Sequence, residues 1–187
     1  CEKYAEMDER VRYYSRENRG LVYTRKEGIA KATGRYIGFV DSDDIIATDM
    51  YEKMYNEAVR GDYDIVDCGY YNEEKDIAMV HTSDELTGDL NSTKRRELIV
   101  SGGYLWSRIF RRKLLTDSGI QLRENVILED CEYLRYMFAK AERMGNVKEI
   151  LYNYRYFKNT LSKSCNVIKY YDNATSSMDA IYNTMSP

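Results

Sequence analysis

Apolar and polar positions follow one another along the chain in patterns that predict strands and helices in turn. Basic and apolar side chains alternate over residues 10–16, as in a half-buried strand. A helix is predicted over residues 21–33, and the short apolar run of residues 36–40 predicts a buried parallel strand. A second helix is predicted over residues 48–60. Strands and helices in this order indicate an α/β protein.

The second half of the chain continues with shorter strands and further helices. The clearest helix is predicted over residues 129–143, where apolar residues such as Leu134 and Phe138 follow the spacing of one helix face. The other predicted elements are a strand pair (64–71 and 77–82), a helix (92–100), an irregular aromatic segment (104–110), a strand (147–156), a loop (159–165) and a terminal helix (167–185). We therefore expect an α/β domain with a mainly parallel sheet flanked by helices.

Composition narrows the class of protein. The 187 residues are 43% hydrophobic, which is enough for a buried core in one domain. The net charge of -3 argues against a nucleic-acid binder. No apolar run approaches the roughly 18 residues of a membrane span, and the first residues do not form a secretory signal. Four widely spaced cysteines favour reduced thiols and a cytoplasmic location, and the single histidine leaves the chemistry to carboxylates.

An acidic cluster follows the predicted buried strand. Asp41, Asp43 and Asp44 lie within four residues, so their carboxylates repel one another. A fold tolerates this repulsion best when the carboxylates share a bound cation or are exposed to solvent. Ligands bind at the carboxyl ends of parallel strands, which is where this cluster lies. Oxygen ligands favour Mg²⁺ or Mn²⁺ over zinc. One carboxylate could contact a metal and another a sugar hydroxyl.

Two other interpretations of the cluster stay open at this point. It could be a solvated acidic turn in which Ser42 or Asp44 caps a helix. It could also belong to a phosphatase of the haloacid type, with Asp41 as the nucleophile and Gly61-Asp62 with Asp67 as the later acidic motif.

Five further residues are candidates for a site. Glu129 and Asp130 open the clearest helix, where the helix dipole favours carboxylates and where one could act as a general base. Arg25 could neutralise a diphosphate, and Gly28 inside the same helix could allow close approach of a ligand. Trp106, beside two glycines and a tyrosine, is either a core residue or a platform for a sugar ring.

Together these residues resemble the family-2 glycosyltransferases. Residues 18–20, 24–28 and 32–44 match three successive motifs of the family. These motifs are Asn-x-Gly, Ala-Arg-Asn-x-Gly and Ala-x-Gly-x-Tyr-Ile-x-Phe-x-Asp-x-Asp-Asp. Lys26 stands where the family usually has Asn. A later tryptophan segment and a Glu-Asp pair at a helix start are met by Trp106 and residues 129–130. Residues 151–155 and 161–162 are similar to the family's closing Tyr-x-Tyr-Arg and Ser region. The Gln-x-x-Arg-Trp segment of processive synthases does not occur.

The resemblance implies a GT-A (Rossmann-like) fold and transfer of a sugar from a nucleotide-diphosphate donor to a saccharide or lipid-linked acceptor. It implies that Asp43 ligates Mg²⁺ or Mn²⁺ on the diphosphate, with Asp41 beside the metal and the ribose or donor sugar. Asp130 would deprotonate the acceptor hydroxyl, giving inversion, and Glu129 would orient the acceptor or Asp130. The expected setting is bacterial cell-surface polysaccharide synthesis in the cytoplasm, with contact at the inner membrane face left open. A non-catalytic glycan- or nucleotide-binding module of the same fold is the alternative.

The resemblance also bears on the limits of the domain. We expect residues 1–165 to form the GT-A domain and residues 166–187 a C-terminal helical extension. In the family, two strands that form the nucleotide-base pocket precede the strand predicted at residues 10–16. We therefore expect the first strands to be missing, so that the chain is an N-terminally truncated piece of a longer enzyme.

Overall fold

A computed structural model of the chain describes residues 1–117, 119, 122–124, 128–157 and 167–185. Its α-helices in these residues are α1 (Glu2–Met7), α2 (Leu21–Lys31), α3 (Met50–Arg60), α4 (Ser92–Ser101), α5 (Arg112–Asp117), α6 (Glu129–Lys140) and α7 (Val167–Met185). The strands are β1 (Tyr36–Gly38), β2 (Ile45–Ile46), β3 (Ile65–Asn72), β4 (Ile77–Met79), β5 (Gly88–Asp89), β6 (Arg108–Arg111) and β7 (Arg143–Tyr154). Strands and helices alternate as the sequence predicts, so the α/β class is confirmed.

The strands form one mixed sheet. Its order is β1-β6-β3-β7-β2, with β4 beside β3 and β5 beside β7. Among the described strands only β3 and β7 pair in parallel, and every other pair is antiparallel. The expectation of a mainly parallel sheet is therefore wrong for this part of the chain. The cause is β6, which lies between β1 and β3 and runs against both.

Two segments differ from the sequence prediction for identifiable reasons. Residues 108–111, predicted as irregular, form β6, because the alternating Ile109 and Phe110 pack on opposite faces of the sheet. Residues 10–16, predicted as a strand, have no regular structure, and no described strand lies beside them to complete the backbone hydrogen bonds that a strand requires. The alternating pattern was therefore not sufficient to predict a strand.

The sheet separates two hydrophobic clusters. Along β3, Ile65 points to a cluster formed with α2, α4, α5 and α6, and the next residue, Val66, points to the other. The second cluster contains Met50, Met54 and Ala58 of α3, all fully buried. These methionines and the alanine repeat at the four-residue spacing of one helix face, which explains why α3 packs along its length. Helices on both faces hold the strand ends in place, and the candidate site lies at those ends.

The terminal elements agree with prediction where they are described. α7 has the predicted bounds and is joined to the domain by Arg123, which donates to Ser176 Oγ at 2.9 Å. The predicted loop at residues 159–165 and the Leu161-Ser162 motif lie outside the described residues. Cys1, Cys68 and Cys131 are free thiols. Within the described part of the chain, no helix has the length and apolar character needed to cross a membrane.

Candidate active site

The acidic cluster forms a turn between β1 and β2. The backbone N–H of Asp44 donates to the carbonyl of Asp41 at 3.1 Å, which closes the turn. The strand that follows, β2, was not predicted, and it pairs with the end of β7 through Ile45 and Ile46. Asp43 is exposed at the tip of the turn, whereas Asp41 and Asp44 are partly buried. The cluster is thus anchored to the sheet on both sides and presents Asp43 to solvent.

Tyr152 of β7 binds both partly buried residues of this turn, Asp44 through its carboxylate and Asp41 through its backbone. Its hydroxyl donates to Asp44 Oδ2 at 2.6 Å and accepts the backbone N–H of Asp41 at 3.3 Å. Sequence reasoning placed Tyr152 in a family motif but assigned it no role. A prediction that β2 pairs with β7 would have indicated this contact, because Ile46 lies opposite Tyr152 in that pair.

Arg25 connects three parts of the chain that are distant in sequence. Its guanidinium donates to the Glu129 carboxylate at the start of α6 and lies 3.9 Å from Asp41 Oδ1. The Arg25 and Glu129 side chains are 11% and 5% exposed. A buried cation between two carboxylates offsets their repulsion. The structure therefore brings Arg25, Asp41 and Glu129 together, as the shared site requires.

Asp130 lies at the N-terminus of α6, as predicted. One carboxylate oxygen accepts the backbone N–H of Cys131 at 2.8 Å, and the carboxylate is also a hydrogen-bond partner of the Cys131 thiol. The Asp130 charge is close enough to raise the pKa values of both Asp41 and Glu129. The candidate base and the acidic turn therefore face the same region.

Burial raises the pKa of the carboxylates that surround this region. For Asp41 burial is the main cause, Arg25 opposes it, and the neighbouring carboxylates raise the pKa further. The pKa of Asp44 is also raised by burial, against the hydrogen bonds from Tyr152 and Arg155. Burial and the Asp130 charge raise the pKa of Glu129, and Arg25 lowers it. Like charges gathered this closely are typical of a site that binds a cation or polarises a substrate.

Trp106 lies within an aromatic cluster and not on an open surface. Its ring is 5% exposed and stacks on Tyr104 at 4.6 Å and on Tyr152 at 4.3 Å between ring centroids. Tyr154 is parallel to it at 5.6 Å. This arrangement favours a core role in which Trp106 supports Tyr152. The predicted contact with a sugar ring would require these rings to separate, and it stays a prediction.

Gly28 is exposed on α2, and an added Cβ would meet no atom within 4 Å. Packing therefore does not explain this glycine. It borders a cleft of about 660 Å³ between α2 and residues 9–14, away from the acidic turn. Its contact with a ligand stays a prediction.

Asp67, which the phosphatase interpretation requires, is occupied elsewhere. Its buried carboxylate accepts Thr82 Oγ1 at 2.6 Å and Asn146 Nδ2 at 2.6 Å. Arg108, also buried, lies 3.4 Å away. These contacts satisfy Asp67 within the core, so it is not available to an open phosphatase site.

The donor set of the acidic turn fits a hard divalent cation. In the residues that the structure describes, no three His, Cys, Asp or Glu side chains converge on a preformed metal site. Asp41 and Asp43 offer only carboxylate oxygens, and Asp43 is exposed. Mg²⁺ commonly binds through one or two carboxylates together with substrate phosphates. The turn is therefore suited to a cation that arrives with a diphosphate.

Comparison with known proteins identifies the family. Residues 1–119 match the model of glycosyl transferase family 2. The uncharacterized glycosyltransferase EpsJ of Bacillus subtilis is 33% identical over 174 residues, covering 87% of this chain and 50% of EpsJ. The cholesterol galactosyltransferase of Borreliella burgdorferi is 27% identical over 184 residues, covering 90% of this chain and 51% of that protein. The chain thus spans about half the length of these relatives.

A solved structure shows the same fold. S. aureus TarS 1–349 in complex with UDP-GlcNAc superposes with a TM-score of 0.69 at 20% identity, covering 88% of this chain and 47% of TarS. The resemblance in the acidic turn and the Glu-Asp helix start agrees with these matches. On this evidence the chain belongs to glycosyl transferase family 2.

Proposed function

We propose that this chain carries the catalytic residues of a metal-dependent, inverting glycosyltransferase that uses a nucleotide-diphosphate sugar. One observation carries the proposal: the acidic turn and the start of α6 meet at Arg25, although the residues come from separate parts of the chain. This arrangement supports a diphosphate-binding role for the acidic turn and a base role for the carboxylate at the start of α6. Membership of family 2 supports the same chemistry.

On the donor side, Asp43 and Asp41 would hold Mg²⁺ or Mn²⁺ through their carboxylate oxygens. The cation would neutralise the charge that develops on the leaving diphosphate. Asp41 would also face the ribose or the donor sugar, with its backbone fixed by Tyr152. Arg25 would keep its position between Asp41 and Glu129 while the anionic donor is bound, adding positive charge beside the diphosphate.

On the acceptor side, Asp130 would take the proton from the attacking hydroxyl. The acceptor oxygen forms a bond to the anomeric carbon as the bond from that carbon to the diphosphate oxygen breaks, which inverts the configuration. The backbone N–H of Cys131 fixes one Asp130 oxygen at 2.8 Å, and the carboxylate would receive the proton of the acceptor hydroxyl. Glu129, paired with Arg25, would orient Asp130 or the acceptor.

Relatives suggest a substrate class. TarS was solved with UDP-GlcNAc, and a relative is named a cholesterol galactosyltransferase. We therefore include UDP-sugars among the first donors to test. We also propose a saccharide or lipid-linked acceptor in bacterial cell-surface polysaccharide synthesis at the inner face of the membrane. The cell-surface part is supported by a Bacillus subtilis relative named a minor teichoic acid biosynthesis protein.

The experiment that tests this function is a donor screen with the full-length gene product. Release of nucleotide diphosphate from one donor, dependent on Mn²⁺ or Mg²⁺, supports a transferase. If the protein binds a donor saturably but turns it over with none of the candidate acceptors, the result supports the alternative of a non-catalytic binding module. Metal-dependent release of phosphate from simple esters would instead support the phosphatase interpretation.

A further inference from the structure

We propose that Tyr152 is a positioning residue that holds the acidic turn in the conformation that binds the donor, with Asp44 as its anchor. The inference deepens the proposed function and rests on it. It assigns different tasks to neighbouring carboxylates: Asp43 faces the ligand, whereas Asp44 fastens the turn to β7.

The two hydrogen bonds of the Tyr152 hydroxyl carry this assignment. The hydroxyl donates its proton to Asp44 Oδ2 at 2.6 Å, a length typical of a bond to a charged acceptor. The same oxygen accepts the N–H of Asp41 at 3.3 Å. One hydroxyl group thus binds both the first and the last residue of the turn.

The second oxygen of Asp44 is also occupied. It accepts the backbone N–H of Arg155 at 2.9 Å, just beyond the end of β7. Both carboxylate oxygens of Asp44 are therefore committed to β7 and the residue after it. Asp43, one position earlier, is exposed and has no described hydrogen bond, so of Asp43 and Asp44 it is the residue whose carboxylate can reach a cation.

The Tyr152 ring is fixed, so the hydroxyl can define a position. The residue is 1% exposed, and its ring stacks on Trp106 at 4.3 Å. Its backbone lies opposite Ile46 in the β2–β7 pair. Burial, and then the bond to Asp44, raises the pKa of Tyr152, which keeps the hydroxyl protonated and able to donate. A group held by packing and by a strand pair can orient the turn that it contacts.

Substitution Tyr152→Phe removes only the hydroxyl and tests the proposal in the full-length gene product. Because the turn loses a hydrogen bond to a charged group, we expect the donor KM and the half-saturating Mn²⁺ concentration to rise roughly 10-fold. The acceptor KM should stay within about twofold, since Asp130 is not attached to Tyr152. The control is Tyr36→Phe, which removes a hydroxyl that donates to the Tyr63 carbonyl at 2.7 Å and should change neither constant. A fall in kcat with unchanged donor KM would overturn the proposal.

A double-mutant cycle tests whether Tyr152 acts through Asp44. In an Asp44→Ala background, Tyr152→Phe should raise the donor KM by no more than about twofold, because the main partner of the hydroxyl is already gone. If the two substitutions instead raise the donor KM independently, so that their fold-changes multiply, the Tyr152 hydroxyl acts by another route and the assignment is contradicted.

Hydrogen exchange separates this inference from the proposed function. Tyr152→Phe should accelerate amide exchange in residues 41–44, because the Asp41 N–H loses its acceptor, and leave β3 unchanged as a measure of intact folding. Unchanged exchange in residues 41–44 would overturn the inference whatever the enzyme does. Faster exchange in a protein that turns over no nucleotide sugar would instead show that the tether exists and that the proposed function is wrong.

Discussion

Arg25 of α2 donates a hydrogen bond to the Glu129 carboxylate at the start of α6, across a separation of 104 residues. Arg25 also lies 3.9 Å from the Asp41 carboxylate, so the same cation connects the acidic turn to the helix that carries Asp130. One guanidinium therefore links the donor-side and the acceptor-side groups.

Breaking the Arg25–Glu129 pair should destabilise the protein strongly. Because both side chains are largely buried, Glu129→Ala would leave the guanidinium with a weaker, more distant partner, at a cost of about 3–5 kcal/mol in the free energy of unfolding. The matched control is Glu124→Ala. It removes the ion-pair partner of Lys26, which lies next to Arg25 on α2. Glu124 is 60% exposed, so its loss should cost about 1 kcal/mol or less. Urea unfolding of both variants tests the difference, and equal losses would contradict a buried pair.

Asp43→Ala should abolish the metal-dependent part of donor binding. The exposed Asp43 supplies an oxygen that the proposed cation needs, and no other described side chain at the tip of the turn replaces it. The measurement is nucleotide titration with and without Mn²⁺. Asp84→Ala, at an exposed site far along the chain, is the control and should retain the metal effect. An unchanged metal dependence in Asp43→Ala would remove Asp43 from the site.

Trp106→Ala should lower stability and weaken use of both substrates together. The ring is nearly fully buried against Tyr152, so truncation should cost about 3–5 kcal/mol and loosen the support of the acidic turn. Trp106→Phe, which keeps an aromatic ring, should recover much of the loss. Thermal unfolding and the two KM values test this. A stable Trp106→Ala protein with only its acceptor KM raised would favour the sugar-platform alternative.

His81 should make the protein less stable in mild acid. Burial lowers its pKa from 6.5 to about 4, with a smaller contribution from the Arg108 charge. Between these two pH values the unfolded chain binds a proton that the folded chain does not, so the free energy of unfolding falls as the pH drops from about 6.5 to about 4. His81→Phe keeps an aromatic ring beside Tyr70 and should lose this part of the pH dependence. Identical pH profiles for the parent and the variant would contradict the assignment.

Local patterns predicted most helices because each helix carries its own signals. α6 begins at Glu129 and α7 has its predicted bounds, since apolar spacing and terminal residues are local properties. The acidic turn and the Glu-Asp start of α6 were likewise visible as residues in a motif. Their meeting at Arg25 was not visible, because it depends on how the tertiary fold brings the Arg25 side chain of α2 to the start of α6.

The strands were predicted less well because pairing is not a local property. Residues 10–16 alternate like a strand but have no described strand beside them, whereas the two residues of β2 form a strand only because β7 lies beside them. The role of Tyr152 follows from that same pairing, which brings its hydroxyl to Asp44. Trp106 was placed at the correct point in the chain, but its burial depends on rings contributed by β3 and β7.

The central claim is that Asp130 is the base opposite the donor-binding turn, and Asp130→Asn tests it most directly. The substitution keeps the shape and the hydrogen bond from Cys131 but removes the ability to take a proton at neutral pH. In the full-length gene product we expect transfer to fall about 10²- to 10⁴-fold, while donor affinity and thermal stability stay near those of the parent. Asp49→Asn, at the N-cap of α3, is the control and should transfer normally. Turnover by Asp130→Asn at the parental rate would contradict the account.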